Sequence, residues 1–149
     1  MASLTFRACI AVFSGGISLA ACAQSMSPVG LWQTIDDETK KPKSLIRIVE
    51  KDGVVSGTVE KIVDPAKQDS KCDECGADDP RKGKPVIGMA ILTGLKKDGD
   101  NVYGGGRILD PNNGKVYAAK VTMLEGGKQL EMRGSFLFIG RTQTWLRVE

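Results

Sequence analysis

Histidine is absent from this chain of 149 residues. Its absence removes imidazole acid–base pairs, Ser-His-Asp and Cys-His nucleophile arrangements, and the usual zinc ligand sets. Helical periodicity is missing too: no segment keeps it beyond about three turns, so helix should be minor. An excess of one charge is also lacking. The formal net charge is +3, and it falls to +2 if residues 1–23, which hold Arg7 and no acid, are removed. The basic groups are scattered among acidic ones, which gives no electrostatic footprint for nucleic acid. What the chain does have is glycine, 18 residues of it, a supply that suits many tight turns.

Residues 1–23 carry Arg7 and then an apolar run, Ala8 to Ala20, broken by Ser14, Gly15, Gly16 and Ser18. The run is too short and too glycine-broken to span a membrane and reads as a secretory signal peptide. Two cleavage readings stay open. Ala21-Cys22-Ala23 suits a peptidase cutting before Gln24, whereas Leu19-Ala20-Ala21-Cys22 resembles a bacterial lipobox, in which the leader ends at 21 and Cys22 carries acyl chains. Residues 24–29 then form a linker, and residues 30–149 form one domain, long enough to bury a real core.

That domain reads as strands. Gly30 to Ile35 is short, Ser44 to Glu50 follows, and Asp52-Gly53 supplies a hairpin turn. Val54 to Val63 alternates with a period of two. A long loop, 64–85, interrupts the pattern and contains Cys72 and Cys75; at that length it is a lid, a stapled insertion or partly disordered. Strand signals resume at Val86 to Leu95, Asn101 to Asp110, Lys115 to Leu124, Gln129 to Ser135 and Thr142 to Val148. The glycines Gly104, Gly105 and Gly106 suggest a bulge or bend. The expectation is an all-β fold: one antiparallel up-and-down β-barrel of about eight strands with tight hairpins. Trp32 near the start, with Arg141, Trp145 and Arg147 near the end, reads as its closure, with Arg141 or Arg147 stacked on Trp32.

With Gly30-Leu31-Trp32 at the first strand and Thr144-Trp145-Leu146-Arg147 at the last, the chain resembles the lipocalin-like (calycin) barrels, in which an Arg of the last strand typically packs the first-strand Trp. A wider set of residues resembles the bacterial domain of unknown function 2147 family. It runs through Gly30, Trp32, Thr34, Asp36, Asp37, Lys43, Ser44, Cys72, Cys75, Lys82, Gly83, Gly88, Asp110, Pro111, Asn113, Gly114, Lys115, Tyr117, Arg133, Gly134, Gly140, Arg141, Thr142, Trp145 and Arg147. The resemblance implies an exported bacterial protein and brings no established activity.

Among candidate sites, Cys72 and Cys75 could form a redox CxxC, half of a zinc site or a structural disulfide. The intervening Asp73 and Glu74 raise a thiol pKa, and further soft ligands are missing, so a local disulfide bracing the loop is favoured. The loop acids Asp64, Asp69, Asp73, Glu74, Asp78 and Asp79 match no calcium geometry and read as solvated charge. Asp36 and Asp37 read as turn residues. Tyr103, Arg107, Tyr117, Met123, Met132 and Arg133 are the candidates for lining a ligand cavity, with Phe136 and Phe138 fitting either a cavity or a packed core. No catalytic set, metal site or cofactor site is expected.

The leading expectation is therefore a non-enzymatic protein exported to the periplasm or cell envelope that binds a small amphipathic or hydrophobic molecule. Membrane contact is expected only through a lipid anchor at Cys22. The alternatives are a structural or protein-interaction module with a filled core and, third, a CxxC thiol-disulfide protein. An interior of about 300 Å³ or more separates the first two.

Overall fold

The computed structural model describes residues 26–149. The leader 1–23, both cleavage readings and Cys22 lie outside the described residues. Eight antiparallel strands form a closed barrel: β1 (Gly30–Ile35), β2 (Pro42–Lys51), β3 (Val54–Ile62), β4 (Ala90–Lys97), β5 (Val102–Asp110), β6 (Lys115–Leu124), β7 (Gln129–Phe136) and β8 (Ile139–Arg147). Each pairs with its neighbour in sequence, and β1 pairs with β8 through Trp32 opposite Arg147 and Gln33 opposite Leu146. Beyond β8 the seam continues: the Leu31 amide donates to Glu149 O at 2.8 Å and the Val148 amide to Leu31 O at 2.8 Å. Helix among the described residues is limited to two short 3-10 turns, Pro65–Lys67 and Glu125–Gly127.

Two boundaries differ from the periodicity reading. Val86 to Met89 is not ladder strand, although Val86 and Met89 are buried. Gly88 takes a positive φ of 87° and turns the chain so that its amide donates to Val59 O at 2.7 Å, and β4 starts only at Ala90. At the other boundary, β8 begins at Ile139, because β7 and β8 meet in a hairpin at Leu137 and Phe138.

The two halves of the barrel are packed differently. Toward the hairpins β2–β3, β4–β5 and β6–β7, the interior is filled by Trp32, Ile48, Val55, Leu95, Val121, Met123 and Leu130, all essentially free of solvent contact. Close approach makes this possible at Gly106, where a Cβ would stand 2.7 Å from the Leu95 side chain. The other half is not filled to the same degree and encloses a cavity.

The connection between β3 and β4, residues 63–89, folds back onto that second half. Cys72 and Cys75 are joined by a disulfide, with Cα atoms 5.3 Å apart, and both are buried. The Cys72 amide donates to Lys84 O (2.9 Å), the Gly83 amide to Cys72 O (2.9 Å) and the Val86 amide to Ser70 O (2.9 Å), so the insertion is hydrogen-bonded internally. The Asp79 carboxylate accepts from the Arg81 backbone amide and guanidinium, and Arg81 Nη1 donates to Ala90 O at 3.1 Å, tying the insertion to the start of β4. Gly114 lies directly beneath it: with φ 69° and the Glu74 carbonyl against the Cβ position, no other residue fits without displacing the insertion. Of the three readings of this segment, the stapled insertion is the one observed.

Candidate functional site

Strand alternation sends one row of residues from each strand inward. On β8 that row is Arg141, Gln143, Trp145 and Arg147, and it runs from one end of the barrel to the other. Arg147 stands at the filled end. Its guanidinium lies 4.3 Å from the Trp32 ring centroid and donates to three carbonyls: Gly127 O (2.5 Å), Val29 O (2.7 Å) and Ser27 O (2.6 Å). The Trp32 indole N–H donates to Pro28 O at 2.7 Å. Burial lowers the Arg147 pKa, yet a guanidinium stays protonated, and the carbonyl oxygens replace its water. Gly30 is required beside it, since a Cβ there would stand 2.6 Å from Arg147 Nη1.

At the other end of the same row the barrel is hollow. A cavity of about 420 Å³ opens there, walled by Ile46, Ile91, Ile108, Tyr117, Met132 and Trp145, with Gly134 leaving one side of the wall bare. The polar groups within it are already engaged. Thr34 Oγ1 and Ser44 Oγ share a hydrogen bond of 2.7 Å, and the Trp145 indole N–H donates to Gln143 Oε1 at 3.4 Å. Gln143 Nε2 in turn donates to Asp37 at 2.8 Å, and Arg141 is also paired with Asp37. The space left over is therefore lined by hydrocarbon and aromatic carbon. Lys43, Lys115, Asp110 and Asn112 stand at the rim with Phe136 and Ile139. Among the described residues neither lysine has an ion-pair partner.

The candidates named from the sequence separate cleanly on this geometry. Tyr117 and Met132 line the cavity. Tyr103 and Met123 do not; they are packed in the filled half, where burial and the charge of Glu50 raise the Tyr103 phenol pKa. Arg107 and Arg133 do not line it either: each follows the opposite face of its strand and points out of the barrel. Arg133 faces out since Leu130, Met132 and Gly134 take the inward row of β7, and its guanidinium lies over Gly140.

Two of the four closure residues also need correction. Arg147 and Trp32 meet, whereas Arg141 sits six residues away along the same face, about 20 Å at strand rise, and pairs with Asp37 at the mouth. Trp145 pairs with Leu130 rather than with β1 and forms cavity wall.

Phe136, which the sequence offered for a cavity or a packed core, stands at the rim, whereas Phe138 is fully exposed and serves neither. Ile46, Ile91 and Ile108 were missed as wall residues, as was Ile139 at the rim. The signal for Ile108 was hidden by the bulge at Gly104–Gly105. There the register shifts between Tyr103 and Gly106, so the inward face passes from odd to even positions.

Comparison with known families adds to this geometry. Residues 30–147 match DUF2147, described as an uncharacterized protein conserved in bacteria. The chain belongs to that family. Among solved structures, the chain is similar to protein HP1028 from the human pathogen Helicobacter pylori, described as belonging to the lipocalin family. The TM-score is 0.72 at 26 % identity, over 84 % of this chain and 85 % of that one. None of the curated proteins matches the chain. For this DUF2147 member, the all-β, eight-stranded, lipocalin-like expectation is met by both the barrel and its structural neighbour.

Proposed function

We propose that this protein is an exported, non-enzymatic carrier that holds one small apolar or amphipathic molecule in the mouth-end cavity. The observation that carries the reading is the hollow half of the barrel, about 420 Å³ lined by apolar side chains whose few polar neighbours are already hydrogen-bonded. That volume lies within the range of small-molecule sites, which bury most of a ligand's surface against apolar walls. A site of this kind binds by excluding water and has no group poised to move a proton or attack a carbonyl. The unpaired Lys43 and Lys115 at the rim favour a ligand whose polar end is acidic and stays at the mouth while its hydrocarbon lies inside. The apolar leader supports export, and a lipobox at Cys22 would keep the carrier on a membrane.

The test is mass spectrometry of small molecules released by denaturing protein that was purified without detergent. A stoichiometric apolar or amphipathic species is expected. Protein that carries nothing, and that also takes up no apolar fluorophore, would overturn the carrier reading. Cell fractionation checks the address: the wild type should pellet with membranes and Cys22→Ala should not, if the lipobox is used.

A further inference from the structure

Phe136, Leu137, Phe138 and Ile139 form the tip of the β7–β8 hairpin, and the barrel leaves all four largely uncovered: the residues are 59, 82, 103 and 80 % exposed. At those values Phe138 gains nothing from folding. The backbone adds a second peculiarity. Leu137 takes φ 55°, the left-handed region that glycine or asparagine occupies with least strain in a two-residue hairpin. A bulky apolar side chain is thus held at a strained turn position where it packs on nothing in its own fold, and large apolar clusters exposed in this way mark interaction sites.

The shape of the cluster selects the partner. It is convex and four residues wide, short of the roughly 800 Å² per side that a stable protein interface needs, so a second copy meeting it tip to tip would be held weakly. A bilayer needs no complementary surface. It takes up a protruding apolar tip while cationic groups behind the tip remain at headgroup level. Arg133, opposite Thr142, lies three rungs behind the Phe136–Ile139 pair that closes the turn, and Arg141, paired with Asp37, lies two rungs behind it opposite Gly134; Lys43 and Lys115 stand on the same rim. Phe136 and Ile139 belong both to the tip and to the cavity lining, so apolar surface is continuous from the turn into the barrel.

We propose that the β7–β8 hairpin is a membrane-docking tip that inserts into a phospholipid bilayer and sets the cavity mouth against it, so that an apolar ligand passes between bilayer and cavity without crossing water. The docking half of this statement is independent of the carrier reading, and the transfer half rests on it.

The experiment uses the full chain carrying Cys22→Ala, so that no acyl chain contributes, with vesicles of phosphatidylcholine and phosphatidylglycerol. In Phe138→Trp the new indole should shift its emission to the blue on vesicle addition and be quenched by lipids brominated in their acyl chains. An indole that stays solvent-exposed and unquenched overturns the proposal. The variant Leu137→Gly with Phe138→Ser relieves the strained φ and should fold at least as well. It should still bind the apolar fluorophore N-phenyl-1-naphthylamine in solution but accept it from preloaded vesicles at least about tenfold more slowly. Unchanged transfer overturns the docking role, while a fluorophore that binds neither protein sinks the carrier reading and leaves the quenching result to decide docking. A wild-type dimer in sedimentation that this variant abolishes would assign the tip to a second copy and overturn the membrane proposal.

Discussion

The two ends of this barrel use the same residue types for opposite purposes. At the filled end an arginine of β8 lies over a tryptophan, three carbonyls take its N–H groups, and no carboxylate is involved. At the hollow end an arginine of the same inward row meets an aspartate in solvent contact, and the tryptophan two inward positions deeper forms cavity wall. The difference teaches that inward direction on a strand does not define a role. Depth along the barrel axis does, because it decides whether a side chain meets packed neighbours, a cavity or water.

That contrast can be broken by mutation. Trp32→Ala should have the largest effect, about 3–5 kcal/mol in chemical denaturation, as for a fully buried large aromatic; a change below about 1 kcal/mol would remove the filled end as the keystone. Next, Arg147→Ala should cost about 2–3 kcal/mol, since it uncovers the Trp32 ring and leaves three carbonyls, two of them part-buried, without their charged donor, and Arg147→Lys should recover little, because an ammonium cannot fan out to three carbonyls. Arg141→Ala, in contrast, should change stability by no more than about 1 kcal/mol, the value of an exposed pair. Equal losses for the two arginines would erase the distinction between the ends.

The hollow end has its own brace, the disulfide-stapled insertion. Gly114→Ala forces the Glu74 carbonyl away and should cost about 1–3 kcal/mol, as overpacking does, with increased proteolysis within residues 63–89. A smaller effect comes from pH. Hydrogen bonds from the Arg81 side chain and backbone hold the Asp79 carboxyl at a pKa of about 2, below its ordinary 3.8. The folded-state pKa is depressed, so the contribution is complete above about pH 4 and is lost as pH falls toward 2. Asp79→Asn should flatten that part of the acid unfolding profile by about 1–2 kcal/mol, detected by denaturation at pH 3 and 6 in parallel.

Much of the fold was legible in the sequence because period-two alternation and turn residues are local signals. Val54 to Val63 and Lys115 to Leu124 show both, and the structure has strands Val54–Ile62 and Lys115–Leu124 there. The hairpin tip was not legible. Phe136-Leu137-Phe138-Ile139 contains no turn residue, and a positive φ at a leucine cannot be anticipated from composition. The cavity was half legible: Tyr117 and Met132 lie on cleanly alternating strands, whereas the bulge in β5 reversed the parity that would have exposed Ile108 and excluded Tyr103. Axial depth, which separates Arg141 from Arg147 and Met132 from Met123, depends on strand tilt and on how the halves fill, and neither is written in a local pattern.

The most direct test is titration of the protein with N-phenyl-1-naphthylamine, comparing wild type with Gly134→Leu. Gly134 faces the cavity with an ordinary φ, and a Cβ there would lie 3.5 Å from Tyr117 Cβ, a normal contact. Leucine should therefore fill the hollow half without straining the barrel. The prediction is saturable binding to one site in the wild type, weakened at least about tenfold in Gly134→Leu with no loss of thermal stability. Equal binding by both proteins, or none by the wild type, would contradict a ligand cavity at the mouth end.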